Sequence, residues 1–200
     1  MQQRLSYDLA GYYFSLANTI VQRRDISGGD YFVNSGRTKQ AGAELFLRYN
    51  ITAADHHRIG NFSAFAAYSW QHYRYQDFKQ LDADYSGHAL PGVSPNTLAA
   101  GLDWDSRIGF YARLSYFYSD LVPLNDAGSA ALDAFHLFGA RIGYKIPGEA
   151  RYGLEFFTGV ENLTDITYSA GPDINAFGGR YYNAAPGRSF YAGLSLQLAR

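Results

Sequence analysis

The residues of this 200-residue chain with the most chemical potential are its histidines, its carboxylates and a set of aromatic and charged side chains in long polar stretches. His56 and His57 directly follow Asp55, but no third ligand stands at a suitable spacing, so the group reads as a solvated polar turn. His72, His88 and His136 are scattered, and no metal site is expected. Glu44, Asp103, Glu155 and Glu161 could form acid–base pairs, yet no nucleophile–base arrangement accompanies them. Pairing with Arg48, Arg113 and Arg141 on a polar surface accounts for them better. No catalytic residue is assigned, and neither an enzyme activity nor a cofactor is expected. Gly178-Gly179-Arg180 precedes no helix and so is no phosphate loop. Two stretches suit binding. Residues 166–187 carry Tyr168, Asp173, Arg180, Tyr181 and Tyr182, and residues 77–95 carry Tyr85 and His88. Rings and arginine favour stacking and charge-assisted hydrogen bonds to an anionic, partly aromatic ligand. The candidate ligand-binding residues are therefore Arg180, Tyr181, Tyr182, Asp173, Tyr85 and His88. The competing expectation is that these loop side chains hold the loops to one another.

The elements that position them are read from composition and period. The net charge of −1 favours no nucleic-acid partner. The absence of cysteine excludes disulfide frameworks and thiolate metal sites. Charged residues make up 18% of the chain, below the roughly one quarter of a typical soluble domain. Tyrosine (18) and phenylalanine (14) are over-represented, as an aromatic core or an interfacial belt would require. No apolar run reaches the ~18 residues of a membrane helix, but a membrane strand needs only about 9–11 residues with alternate ones apolar. Residues 1–8 contain no apolar signal core, so a mature or shortened form of an exported protein is expected.

The dominant period is two. Phe62, Ala64, Ala66, Tyr68 and Trp70 alternate with Ser63, Phe65, Ala67, Ser69 and Gln71, and the pattern returns around residues 98–104, 108–116, 138–144, 154–161 and 190–198. Two earlier strands are expected over about Arg4–Gln22 and Tyr31–Tyr49. This predicts an all-β chain, an antiparallel meander of about eight strands with no helix. One face is apolar throughout, with Tyr49, Tyr68, Trp70, Trp104, Tyr116 and Tyr144 at its ends, and the other is small or polar. Mid-strand charges are missing from the apolar face, where each would cost about 2–4 kcal/mol in lipid. Short connections at Asp105–Arg107 and Pro147–Arg151 contrast with long ones at Asp77–Pro95, Leu121–Asp133 and Ile166–Gly187, and Asn50–Gly60 is intermediate. Short turns on one rim and long loops on the other are the transmembrane barrel pattern.

Several segments resemble a known family along nearly the whole chain. Val33-Asn34-Ser35-Gly36-Arg37, Gly42-Ala43-Glu44-Leu45-Phe46-Leu47, Leu90-Pro91-Gly92-Val93-Ser94-Pro95 and Val122-Pro123-Leu124-Asn125-Asp126 occur in order. Gly159-Val160-Glu161-Asn162-Leu163-Thr164-Asp165, Gly178–Asn183 and Pro186-Gly187-Arg188 complete the series. Together they resemble the C-terminal part of the barrel of TonB-dependent outer-membrane receptors of the siderophore type. The resemblance implies that residues 1–200 are a single segment of a larger plugged barrel, with the plug, TonB box and earlier strands outside it. It implies a place in the bacterial outer membrane and a part in uptake of a scarce nutrient, most often a ferric siderophore. The implied partners are the TonB energy-transducing complex, reached through the plug, a ferric siderophore or similar small ligand, outer-membrane lipid and lipopolysaccharide, and the barrel-assembly machinery. The ending Leu198-Ala199-Arg200 departs from the terminal aromatic common in the family. Asn162 and Asp165 are expected to bind exposed backbone where a strand leaves the membrane. The alternatives are a self-closed small outer-membrane barrel with a structural or adhesive role, and a soluble β-sandwich.

Overall fold

Alternation at a period of two makes each segment a two-faced strand, and eight such strands form one antiparallel sheet. They are β1 (Leu5–Ala17), β2 (Arg37–Asn50), β3 (Asn61–Asp77), β4 (Asn96–Asp105), β5 (Phe110–Ser119), β6 (Phe135–Ile146), β7 (Tyr152–Glu161) and β8 (Ser189–Leu198). The computed structural model describes residues 4–24, 27, 29–34, 36–52, 60–80, 82–146 and 152–198. The strands lie in chain order, each paired with its sequence neighbours, so the expected all-β antiparallel meander is what forms. β1 and β8 each pair on one side only. Among the described residues the sheet is open, which does not favour closure of these eight strands on themselves.

The two longest expected strands are each divided. β1 ends before Asn18 (φ +57°) and β2 begins after Gly36 (φ +67°). The Asn18 amide donates to the Gly36 carbonyl at 2.7 Å, and the Gly36 amide donates to Asn34 Oδ1 at 2.8 Å. A Cβ on Gly36 would lie 1.9 Å from the Asp77 carbonyl oxygen, so the turn admits only glycine. Beyond the break, Ile20–Arg24 and Asp30–Asn34 pair as a separate ribbon. Alternation continues across the break, which is why the sequence reads as unbroken strands.

The connections separate by length. Residues 106–109 make a tight turn at one rim, while residues 18–36, 78–95, 120–134 and 162–188 emerge together at the other. Residues 53–59 and 147–151, which include Asp55, His56 and His57 and most of two expected turns, lie outside the described residues.

Among the described residues, the apolar face has no second layer against it. Phe190 is 75% exposed and Leu194 63%, where a sandwich would bury both. Aromatics gather toward the ends of this face. Phe62 stacks on Trp104 at 6.0 Å and Phe110 packs at a tilt on Tyr144 at 4.6 Å toward the short-turn rim. Tyr116 packs on Phe138 at 5.0 Å toward the long-loop rim, where the stray histidines also sit. His72 stacks on Trp70, and His136 lies between Tyr116 and Tyr118.

The small-and-polar face follows a different rule. Tyr12, Phe65, Tyr111, Phe157 and Tyr191 each stand directly across from a glycine of the next strand, namely Gly42, Gly101, Gly143, Gly193 and Gly159. A Cβ on any of these glycines would fall 2.2–2.4 Å from the opposing ring. The rings lie over bare backbone, and this covers glycines that would otherwise weaken the strands.

At the long-loop rim, Asp120 clips β4 to the end of β5. Its carboxylate accepts from Asn96 Nδ2 at 2.7 Å and from the Leu121 amide at 2.8 Å. The Asn96 contact first, and the Leu121 amide second, hold Asp120 below the usual carboxylate range. A depressed carboxyl stabilises the fold above its ordinary value of about 3.9 and loses that contribution as pH falls through the folded-state value. Acidification below about pH 4 should therefore raise amide exchange at residues 119–122 in the wild type. An Asp120→Asn variant should show raised exchange already at neutral pH and little further change in acid.

Candidate ligand-binding cap and inner wall

Among the described residues, the buried apolar side chains Tyr75, Phe78, Val122, Leu124 and Leu132 gather at the long-loop rim. Leu124 is 0% exposed and packs with Val122 and Leu132, and Ala130, Phe135 and Tyr181 close around them. A wall one sheet thick has no interior, so a core forms only where the long loops fold over the rim. Val122–Pro123 pairs with Ala131–Leu132 as a short ribbon, and the Leu124 amide donates to the Ala130 carbonyl.

Asp126 joins three segments. Its Oδ1 accepts from the buried Tyr75 hydroxyl at 2.6 Å and from Asn175 Nδ2 at 3.3 Å. Its amide donates to Asn175 Oδ1 at 3.1 Å, and its carbonyl accepts from His88 Nδ1 at 2.8 Å. A carbonyl can only accept, so Nδ1 carries the proton. The end of β3, loop 78–95, loop 120–134 and loop 162–188 thus meet at one aspartate.

The long last loop is closed by the Asn162–Asp165 turn. Asn162 is buried at φ +50°. Its Oδ1 accepts from the Ile166 amide at 3.0 Å, and its Nδ2 donates to the Ile166 carbonyl at 2.8 Å and the Pro186 carbonyl at 3.5 Å. Asp165, at φ +57°, accepts from the Arg188 amide at 2.8 Å. The two side chains bind the loop's entry to its exit, in line with the expectation that they serve exposed backbone. Asn162→Ala removes these bonds and places alanine in a left-handed conformation, a cost of about 2–4 kcal/mol. We expect trypsin to cut this protein after Arg180 and Arg188 much faster in that variant.

The six candidate residues fall into two groups. Tyr85 leans on Phe78 at 5.6 Å and meets His88 edge-on at 5.9 Å. Tyr181 packs on the loop core and accepts from Asn125 Nδ2 at 3.2 Å, while Tyr182 donates to the Ala131 carbonyl at 2.9 Å. The Asp173 amide donates to the Tyr181 carbonyl at 3.0 Å. Arg180 is exposed, just after the short 3-10 turn Phe177–Gly179. Asp126 and Asn175 connect one group to the other. Tyr85, His88, Tyr181 and Tyr182 all have a part in loop packing. Arg180 and the Asp173 carboxylate have no partner among the described residues.

Below the cap, on the small-and-polar face, lies a cavity of about 360 Å³ lined by Phe117, Leu132, Phe135, Leu137, Tyr168 and residues 169–172. Tyr168 packs against Phe135 with the rings tilted and their centroids 5.0 Å apart. Sequence reasoning did not single out Phe117, Phe135 and Leu137. The available signal was large apolar residues at strand ends on a face that is otherwise small or polar.

Farther down the same face runs a ladder of charge. Arg113 reaches Asp103 at 3.3 Å and Asp105 at 2.6 Å, and Arg48 approaches Asp103 at 3.8 Å. Arg141 binds Glu155 at 2.8 Å and lies over the Phe157 ring at 3.8 Å, and the Tyr111 hydroxyl also donates to Glu155. Asp103, Asp105 and Glu155 pair with arginines, which leaves no free acid–base couple among them, while Glu44 and Glu161 have no arginine partner among the described residues. Rather than reactive groups, the face offers satisfied ion pairs beneath an aromatic cavity and a folded loop cap, an arrangement suited to binding.

The family model for TonB-dependent receptor-like β-barrels matches residues 1–163. That match includes Asn162 and ends before Asp165, and it leaves out the closing strand. Solved structures similar to this chain include the ferric preacinetobactin receptor BauA from Acinetobacter baumannii (15% identity, TM-score 0.71). They also include the ferric yersiniabactin uptake receptor FyuA from Yersinia pestis (14%, 0.70) and the copper transporter OprC (18%, 0.70). The alignments cover 98%, 99% and 97% of this chain and 27%, 28% and 29% of those proteins, so the chain spans less than a third of their length.

Proposed function

Because the chain belongs to the TonB-dependent receptor-like β-barrel family of the bacterial outer membrane, we propose that it supplies wall strands and external loops to a receptor that takes up a ferric siderophore. The observation that carries this reading is the aromatic cavity of Phe117, Phe135 and Tyr168 beneath the loop cap. It faces the side that a closed barrel would enclose, at the rim where long loops emerge. An aromatic chelate would stack in it, while Arg180 and Tyr182 on the exposed loop surface would meet the ligand's anionic and hydrogen-bonding groups first. Tyr181, Tyr85, His88 and the Asp173 backbone would shape that entrance. The names of the similar structures include both ferric-siderophore receptors and a copper transporter, so iron-chelate uptake is our choice within that range.

The two unpaired edges support the reading of residues 1–200 as one barrel segment. Bare strand edges cost several kcal/mol per backbone group in lipid, and further strands would cover them. Under this reading energy comes from TonB through a plug, the barrel-assembly machinery inserts the wall, and lipopolysaccharide surrounds it. The test is growth of a strain deleted for this gene on a panel of iron chelates and on copper. Loss of growth on one chelate, restored by the wild-type gene and not by a Phe135→Ala/Tyr168→Ala variant, is the expected result. Unimpaired growth on every chelate would overturn it.

A further inference from the structure

The cavity under the loop cap has no charge in its wall. Among the described residues, none that lines it is acidic or basic. Its hydroxyls are engaged within the protein. Ser94 Oγ donates to the Asn96 carbonyl at 2.9 Å, Ser119 Oγ donates to Ser94 Oγ at 3.2 Å, and Ser169 Oγ accepts from the Asn183 amide at 3.0 Å. The backbone is engaged as well. The Gly92 amide donates to the Pro123 carbonyl at 2.7 Å and the Ala170 amide to the Asn183 carbonyl at 3.1 Å. The Gly171 carbonyl accepts from Asn183 Nδ2 at 2.8 Å. A carboxylate, catecholate or hydroxamate that entered would exchange water for a wall with no cation to meet it, and an unpaired charge is very costly to bury. The iron-coordinating oxygens of a chelate therefore have no place in this cavity.

The aromatic rings make only part of the wall. Phe117 and Phe135 lie 6.0 Å apart at a tilt of 45°, and Phe135 and Tyr168 5.0 Å apart at 36°, so these rings pack on one another. The rest of the wall includes the aliphatic side chains of Val122, Leu132, Leu137 and Pro172. A cavity of about 150 Å³ is enough for a benzene ring. At about 360 Å³ this one has room for an aliphatic chain beside a ring. Each methylene of such a chain that leaves water gains about fourfold in affinity. Positive charge is supplied elsewhere in the same loop. Residues 168–172 wall the cavity, while Arg180 is exposed and has no partner among the described residues.

We propose that the cavity is an acyl-chain site and that the ligand taken up is an amphiphilic chelate. Its uncharged chain lies against Leu132, Leu137 and Pro172, beside whatever ring meets Phe135 and Tyr168, and its anionic iron centre stays outside with Arg180. This names the class of ligand for the receptor reading and rests on that reading. The preference of the cavity for an uncharged chain stands apart from it.

The test is photolabelling of the protein in its own outer-membrane vesicles. The probe is a medium-chain fatty acid with a diazirine at its far end, and labelled peptides are read by mass spectrometry. Labelling is expressed as the ratio of residues 132–137 and 168–172 to residues 190–198 on the apolar face, so that partition of the probe into the membrane cancels. We expect label on the cavity residues of the wild type. A matched probe with a second carboxylate at the far end brings charge into the cavity and should lower the ratio about a hundredfold. Leu137→Trp, which fills the cavity, should lower it about tenfold. Leu114→Trp makes the same change on the apolar face, where Leu114 is 53% exposed, and should leave the ratio as in wild type. Heat-dependent gel mobility confirms that each variant is folded. No label in the wild-type cavity, equal labelling by the two-carboxylate probe, or an unchanged ratio in folded Leu137→Trp would each overturn the proposal. Labelling is read without iron, so it separates from the growth test. Label in the cavity with unimpaired growth on every chelate would support the chain site and overturn the uptake reading. Lost growth on one chelate with no label would do the reverse.

Discussion

Asp126→Ala should release the loop cap while leaving the strands folded. The substitution deprives the Tyr75 hydroxyl, on a side chain only 2% exposed, of its charged acceptor, and it removes the acceptor of Asn175 Nδ2. A buried donor left without a partner costs about 1–3 kcal/mol and a lost bond to a charged group about 1.5–3, so we expect about 3 kcal/mol of local destabilisation. That raises the open population of the cap by about 100-fold. The measurement is amide exchange over residues 78–95, 121–133 and 166–187, with exchange in β5 and β6 as the internal reference. Asp126→Asn keeps an acceptor for Tyr75 and should have a smaller effect. Tyr75→Phe leaves the carboxylate short of a donor, and the Tyr75→Phe/Asp126→Ala pair should cost less than the sum of the single changes, as contacting residues do. Exchange unchanged in Asp126→Ala would show that the apolar cluster of Leu124, Val122 and Leu132 holds the loops without the hub. Under the proposed function, the same variant should lose uptake in proportion to the cap's opening.

The second large effect is expected in the closing hairpin. Gly159 lies under Tyr191, and two positions along, Gly193 lies under Phe157, so each strand supplies one ring and one glycine to its neighbour. A Cβ on Gly159 would fall 2.4 Å from the Tyr191 ring and 2.9 Å from the Ala140 carbonyl oxygen, and one on Gly193 would fall 2.2 Å from the Phe157 ring. The rings would have to leave their seats, and the backbone oxygen would have to move as well. Overpacking of this kind costs about 1–3 kcal/mol per site. We expect Gly159→Val/Gly193→Val to reduce sharply the fraction of protein that resists SDS without heating. Gly153→Ala is the matched control. It lies on the same face of β7, and its Cβ would meet Gln197 at an ordinary 3.5 Å. Equal loss in the control would mean that strand glycines matter through backbone entropy and not through the rings above them.

These predictions draw on different kinds of information. The strands and their faces were legible because a pleated strand alternates with a period of two, so Phe62 through Trp70 declares its own facing without reference to any partner. The segregation of short turns from long loops was legible for the same local reason, as was the role of Asn162, whose side chain binds the backbone of Ile166 four residues away, whereas the bond from the Arg188 amide to Asp165 joins residues twenty-three positions apart. The breaks at Asn18 and Gly36 were not, because the alternation of residue types runs on through them while the backbone turns left-handed. Tyr181 and Tyr182 were legible as loop aromatics, but their engagement with Asn125 and Ala131 depends on contacts more than fifty positions apart.

The glycines follow the same division. Their presence on the polar face could be read, but which ring covers which glycine depends on register, a relation between strands that neither strand encodes alone. Period, facing and loop length belong to the sequence because each is the energetic preference of a short stretch of backbone in a two-sided environment. The cap, the aromatic cavity and the ring-over-glycine pairs required the assembled fold, because each is made by residues with no reason to meet until the sheet sets their register.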